Sequence, residues 1–248
     1  FEWLNDPSRV VLLGNCSQLS HKCKQALSEY AGRYCLIEHD HHYLQGRNPC
    51  LYPQGVAPTS QRANQVLFQH AQAVLCQSSL HKKCIFKNTT DTTTVNLGCN
   101  FWAAPWLEAL QQLRKSEKRD VVAVQASQAS IKNSNGALQW CRDNHIPAEL
   151  IPALPYPLFL QALSQAKGLV FHPLWVESFS RLSMEAALLG LKIHGNANIG
   201  VLQENWFMQH QTNGNTWDAS LFETLKERQR NGIAIVKHYL MRCIKGPA

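Results

Sequence analysis

Two glutamates, Glu177 and Glu185, are separated by seven residues in a stretch that passes from an apolar segment through a proline-containing loop into a helical pattern. With the helix beginning at 178–180, Glu177 sits at its entrance beside backbone N–H groups that lack intrahelical partners. At ~1.5 Å per residue, Glu185 then lies about 12 Å further along the axis. That spacing suits a nucleotide sugar. One carboxylate accepts from hexose hydroxyls, the other accepts from ribose hydroxyls, and the helix N-terminus between them faces a diphosphate. Either glutamate alone would pass for a helix-dipole partner or an exposed helix residue.

A second group of chemically capable residues is Glu38-His39-Asp40-His41-His42-Tyr43, directly after an apolar run. Imidazole and carboxylate together suit zinc, iron or manganese. Adjacent residues on an extended chain point to opposite sides, so at most two of them would share one ion. Gly14-Asn15 also follows a strand-like run, and Asn15 is an acceptor-side candidate beside the alternative of a plain turn.

The surrounding chain alternates short apolar runs with helical patterns, the signature of an α/β protein with parallel sheets. Strands are predicted at 9–13, 33–38, 73–76 and 93–97, with helices at 20–30, 61–71 and 80–86. The second set has strands at 120–125, 149–151, 169–171 and 191–194, with helices at 137–144, 158–165 and 180–189. A long helix over 221–241 follows, with Gly232 a candidate break. The charged stretch 115–118 reads as a hinge, giving an N-terminal Rossmann-like domain over 1–116 and a C-terminal one over 117–248, the last helix packing back on the first. Ligands of open α/β sheets bind at the carboxyl ends of the strands, where the residues above fall.

Composition narrows the class. Hydrophobic residues make up 45% of the 248 and charged ones 17%, which excludes a disordered chain. No apolar run is long enough to span a membrane, and no charged-then-apolar leader is visible. The nine cysteines are odd in number, form no CxxC pair and mostly sit in apolar runs, so a reducing cytoplasm is expected. The formal charge of +7 fits an anionic ligand or simple solubility. Its basic residues are scattered, so nucleic acid is a possible partner but not the favoured one.

Residues 173–185 resemble the Glu-x7-Glu signature of retaining GT-B glycosyltransferases of family 4, and Leu189-Gly190-Leu191-Lys192-Ile193 is similar to the element that follows it. The resemblance implies two Rossmann-like domains with mostly parallel sheets facing a central cleft. It also implies donor contacts from Glu177 to the sugar, from Glu185 to the ribose, and from Ser178, Phe179, Ser180, Arg181 and Leu182 between them. Ser178 and Ser180 stand where the family has glycine, which crowds backbone access to the donor. The family's diphosphate-gripping Arg and Lys are matched only by Lys132, with Ser127 at the end of the preceding strand and Arg181 as substitutes. The family's His-Asp pair maps onto His39 and Asp40. Histidine would contact the donor sugar or acceptor, Asp40 would fix its tautomer, and His41 is the acceptor-side fallback.

The implied activity is transfer of a hexose from a UDP- or GDP-sugar to an acceptor hydroxyl of a glycan, lipid or small molecule. Anomeric configuration is retained and no metal or further cofactor is needed. Peripheral contact with a membrane is compatible with it. The alternatives are a phage-type enzyme that glycosylates DNA bases, a non-catalytic nucleotide-binding protein of the same fold, and a metal-dependent hydrolase built on the histidines.

Overall fold

In the computed structural model, residues 6, 8–14 and 16–245 are described, Lys245 by its backbone alone. Contacts divide the chain into two units, Phe1–Cys99 with Arg228–Ala248, and Asn100–Glu227.

The first unit is built on a four-stranded parallel sheet in the order β1-β2-β3-β4: Val11–Leu13, Tyr34–Ile37, Ala73–Cys76 and Thr94–Asn96. Consecutive strands pair through crossovers, so each is followed by a helix or an extended connection. Helices α1 (His21–Glu29), α2 (Gln65–Gln69) and α3 (Ser79–Asn88) supply these. β3 is buried at every residue, as its unbroken apolar sequence requires of a central parallel strand. Side chains stop the helices from starting elsewhere: the Ser20 hydroxyl accepts from the Cys23 amide and the Ser78 hydroxyl from the His81 amide.

The second unit has a parallel sheet in the order β6-β5-β7-β8: Ala148–Ile151, Arg119–Gln125, Ala166–Phe171 and Lys192–Gly195. Helices α4 (Ala104–Leu113), α6 (Tyr156–Ser164) and α7 (Arg181–Leu188) pack on one another. Their apolar faces build a core with Leu110, Leu160, Leu169, Phe171, Phe179 and Met184. α5 (Ser134–Asp143) closes the other face of the sheet over Val122, Val124 and Val170. A short helix, α8 (Asn205–Met208), follows β8. The last helix, α9 (Leu221–Lys245), runs without a break through the buried Gly232, and its residues from Arg228 onward count with the first unit.

Three expectations are changed by this structure. The stretch 115–118 does not behave as a hinge. The Arg114 guanidinium donates to Ala187 O (3.2 Å), Leu188 O (2.8 Å) and the Trp217 carbonyl, and the Lys118 ammonium donates to Ser164 O (2.5 Å) and Leu189 O (3.1 Å). Both cations occupy the carbonyl ends of α6 and α7, where helix dipoles attract positive charge. The contact seam accordingly falls at 99/100, and α4, absent from the predicted elements, counts with the second unit. Third, α7 starts at Arg181, so Glu177 is not at its entrance. Residues 177–179 instead run alongside 198–201, with Glu177 N–H donating to Asn198 O (2.8 Å) and Val201 N–H to Phe179 O (2.8 Å).

α7 ends where Gly190 takes φ +78°, a conformation that glycine adopts without steric cost. Its N–H donates to Ala187 O and that of Leu191 to Ala186 O, closing the helix. Among the described residues, no helix is long and apolar enough to cross a membrane.

Candidate functional site

The loops that leave the carboxyl ends of β5 and β6, with the start of α7, surround a cavity of about 1040 Å³ within the second unit. Ser127 to Ala129 and the first residues of α5, Ser134 and Asn135, form one side. Arg181, Leu182 and Glu185 of α7 form another, and Leu150, Pro152, Leu154 and Phe159 give an apolar wall. The first turns of α5, α6 and α7 all contribute to the lining. Their leading N–H groups have no intrahelical acceptor, so the cavity is suited to an anion.

Glu185 is buried, 3% exposed, and its contacts converge on one oxygen. Oε1 accepts from Trp102 Nε1 (2.9 Å) and from the Tyr156 hydroxyl (2.7 Å), and lies 3.6 Å from Arg181 Nε. Burial raises the carboxyl above its ordinary value, against the lowering effect of Trp102, Tyr156 and Arg181. Tyr156 is pushed up to about 12 by burial and by the adjacent Glu185, which keeps its hydroxyl a donor. The Arg181 guanidinium stacks over the Trp102 ring at 4.6 Å and donates to Phe101 O (3.1 Å).

Lys132 and Glu177 meet each other, Nζ to Oε1 at 2.6 Å, with the ammonium 5.9 Å from the centre of the Phe171 ring. Neither belongs to the lining of the cavity. Lys132 closes a 3-10 turn (Ser130–Lys132) that is tied to the loop after β7, since Leu174 N–H donates to Ile131 O. The Ser127 amide donates to Ser134 Oγ (3.0 Å), which in turn donates to Gln125 O (2.6 Å), fixing the first turn after β5. Phe179 is fully buried beside Trp102 in the core and does not face the cavity, and Ser178 is half-buried. Ser180 is the N-cap of α7, its Oγ accepting from Ser183 N–H at 3.3 Å.

In the first unit the histidine cluster divides. His39 is half-buried and its Nδ1 pairs with Gln77 Nε2 at 2.8 Å. Asp40 is exposed and binds Arg47 (2.8 Å), so it does not orient His39: glutamine, from the end of β3, holds that place. His41 is buried at φ +60°, hydrogen-bonded to the Tyr43 hydroxyl (2.7 Å) and edge-on to His81, which removes it from contact with an acceptor. Glu38 collects the backbone N–H groups of Asp40 and His42 and the His42 ring. Burial would raise its carboxyl, but these bonds win and lower it to about 2. Among the described residues no group of three or more His, Cys, Asp or Glu side chains could hold one metal ion. Asn15 lies outside the described residues.

Trp102, Tyr156 and the wall from Pro152 to Leu154 were missing from the predicted site. The one signal for them in sequence is the proline-punctuated run Pro152-Ala153-Leu154-Pro155-Tyr156-Pro157 at the end of a strand, the position where ligands of such sheets bind.

No family profile and no curated protein sequence matches the chain. Among solved structures it is similar to sucrose-phosphate synthase from Thermosynechococcus elongatus, with 11% identity and a TM-score of 0.51 over 83% of this chain and 67% of that one. It is also similar to Anabaena HepE in complex with UDP, with 13% identity and a TM-score of 0.50 over 98% of this chain and 76% of HepE. These likenesses show the fold, α/β with parallel sheets, matching GT-B glycosyltransferases.

Proposed function

We propose that the chain is a hexosyltransferase that binds a nucleoside diphosphate sugar in the second unit and passes the sugar to an acceptor hydroxyl with retention. The observation that carries this is the cavity, in which a buried carboxylate, a guanidinium and three helix N-termini line one space of about 1040 Å³. Each feature matches a part of such a donor. Glu185 accepts from ribose hydroxyls, Arg181 and the first turns of α5 and α7 hold the diphosphate, and the wall from Leu150 to Phe159 takes the base. Stabilising charge on the departing diphosphate is the main electrostatic task in this reaction, and fixed N–H dipoles and Arg181 meet it without a metal ion. Glu177, paired with Lys132, is assigned to the hexose. His39, oriented by Gln77, is the acceptor-side residue proposed for the first unit. Uridine is the base favoured by the likeness to HepE, guanosine the alternative.

Calorimetric titration with UDP and GDP, each with and without EDTA, tests the donor site. At least one is expected to bind in the micromolar range, with a loss of tenfold or more in Glu185→Ala. Absence of binding by both, or binding indifferent to Glu185→Ala, would sink the reading. The Lys132–Glu177 pair favours one rival, a non-catalytic nucleotide-binding protein, because it leaves the hexose-side carboxylate already engaged. Release of hexose from UDP- or GDP-glucose, slow alone and faster with an acceptor, is expected of the enzyme and not of the rival.

A further inference from the structure

We infer that Trp102 and Tyr156 are positioning residues, holding Glu185 so that its second oxygen, Oε2, faces the donor cavity, with Arg181 clamped between Trp102 and the carboxylate. This rests on the donor-site reading above and specifies how that site recognises a ribose.

A glutamate side chain has three rotatable bonds, and a carboxylate at its tip turns freely unless something fixes its plane. Here the indole N–H and the phenol O–H converge on the same oxygen at 2.9 Å and 2.7 Å, and Arg181 Nε approaches it as well. The donors come from three separate segments: the loop before α4, the start of α6 and the start of α7. Trp102 is itself buried and Tyr156 packs edge-on to Trp106 at 4.7 Å, so both donors are held by the core. Among the described residues, the hydrogen bonds and the ion pair of the carboxylate fall on Oε1, and Glu185 lines the cavity. Oε2 is therefore the acceptor left for a ligand hydroxyl. A buried carboxylate with one oxygen bonded and the other bare selects a partner with hydroxyl donors, because a ligand without them leaves the oxygen desolvated and unbonded.

The charged and titratable groups facing Glu185 are Arg181 from α7 and Tyr156 from α6, with the neutral Trp102 from the loop before α4. Loss of either neutral donor loosens the carboxylate and, with burial less opposed, pushes its protonation to higher pH. Both effects act on hydroxyl recognition and leave the diphosphate contacts in place.

The experiment compares the tighter-binding of UDP and GDP with its 2′,3′-dideoxy counterpart, by calorimetry at pH 7.5 and pH 6.0, on the native chain and on Tyr156→Phe and Trp102→Phe. The native chain is expected to prefer the ribonucleotide by tenfold or more. In each variant that ratio should fall to about threefold or less, with affinity for the dideoxy compound nearly unchanged, and the loss should be larger at pH 6.0. In a Glu185→Gln background, adding Tyr156→Phe should change the ratio no further. A merely structural role would weaken both ligands alike, and an unchanged ratio in a folded Tyr156→Phe overturns the inference while the donor-site reading stands. Should Trp102→Phe fail to fold, Tyr156→Phe decides alone. Failure of the native chain to bind either nucleotide overturns both.

Discussion

Ser180 has φ +73° and ψ +91°, a backbone conformation that side chains with a Cβ rarely adopt, while its hydroxyl caps α7. Strain of this kind costs about 1–3 kcal/mol, and exchanging a serine cap for glycine costs only a few tenths. Ser180→Gly is therefore expected to stabilise the second unit by about 1 kcal/mol in urea titration, after subtracting the extra entropy glycine loses on folding. It should not weaken nucleotide binding. His81 is a different kind of strained residue. It is fully buried, its two ring nitrogens have no hydrogen-bond partner, and burial, then the neighbouring His41, holds its pKa well below the ordinary value. The unfolded chain takes up this proton first as pH falls, so stability is lost below about pH 6.5, by at most ~1.4 kcal/mol per pH unit for one proton. Glu38, lowered to about 2, contributes stability that is present above its unfolded value and fades as pH falls from about 5 towards 2. His81→Leu should flatten the stability curve of the first unit between pH 6.5 and 5, leaving the steeper loss below pH 5. An unchanged slope in pH-resolved urea unfolding would show that His81 does not drive it. Glu185 and Arg181 were legible in sequence because both lie within the one contiguous stretch, 173–185, that carries the motif resemblance. Trp102, Tyr156 and Gln77 were not, since each reaches its partner from a distant segment.

At the scale of elements, period and composition were good guides to the sheets. The buried β3 reads as an uninterrupted apolar run, and all eight strands fall within a few residues of their expected places. The failures have local causes. α4 begins at Ala104 with no side-chain cap, so no polar start signal marks it in sequence, although Trp106, Leu107 and Leu110 carry the helical spacing. α7 begins at Arg181 because Ser180 provides the cap, so the glutamates are not joined by one helix and their separation does not follow from helical rise. Charge in 115–118 suggested solvent, whereas Lys118 is turned inward onto carbonyl groups. Arg114 does the same for the end of α7 and thereby links α4, α7 and the Trp217 loop. Arg114→Ala strands three carbonyl acceptors in a half-buried place. A charge-assisted bond is worth about 1.5–3 kcal/mol, so a loss of about 2–3 kcal/mol is expected in thermal or urea unfolding. A loss under 0.5 kcal/mol would mean that water replaces the guanidinium freely.

At the scale of the whole chain, the division into units crosses the linear order. The first unit takes Arg228 onward from the far end of the sequence, where the buried Cys243 lies 3.6 Å, Sγ to Sγ, from the buried Cys35 of β2, and Cys99 Sγ contacts Arg228 O at 3.5 Å. Stability within a protein is distributed by cooperative units rather than by chain position. Hydrogen exchange on the intact chain is therefore expected to release the amides of 232–243 together with those of β2 and β3. The amides of β5 and β7 should open separately, and a saturating nucleotide should slow these alone. Exchange of 232–243 in step with β5 would contradict the division.

The discontinuity of the first unit has a consequence for how the molecule is made. During synthesis, the ribosome finishes β1–β4 long before it reaches the segment that completes their unit, while residues 100–227 emerge as one uninterrupted piece. The second unit can close as soon as its last residue clears the exit tunnel. The first must keep its sheet waiting, with Cys35 uncovered, until α9 arrives. Slow translation of residues 100–227 would thus lengthen the exposure of the unfinished first unit to chaperones and proteases.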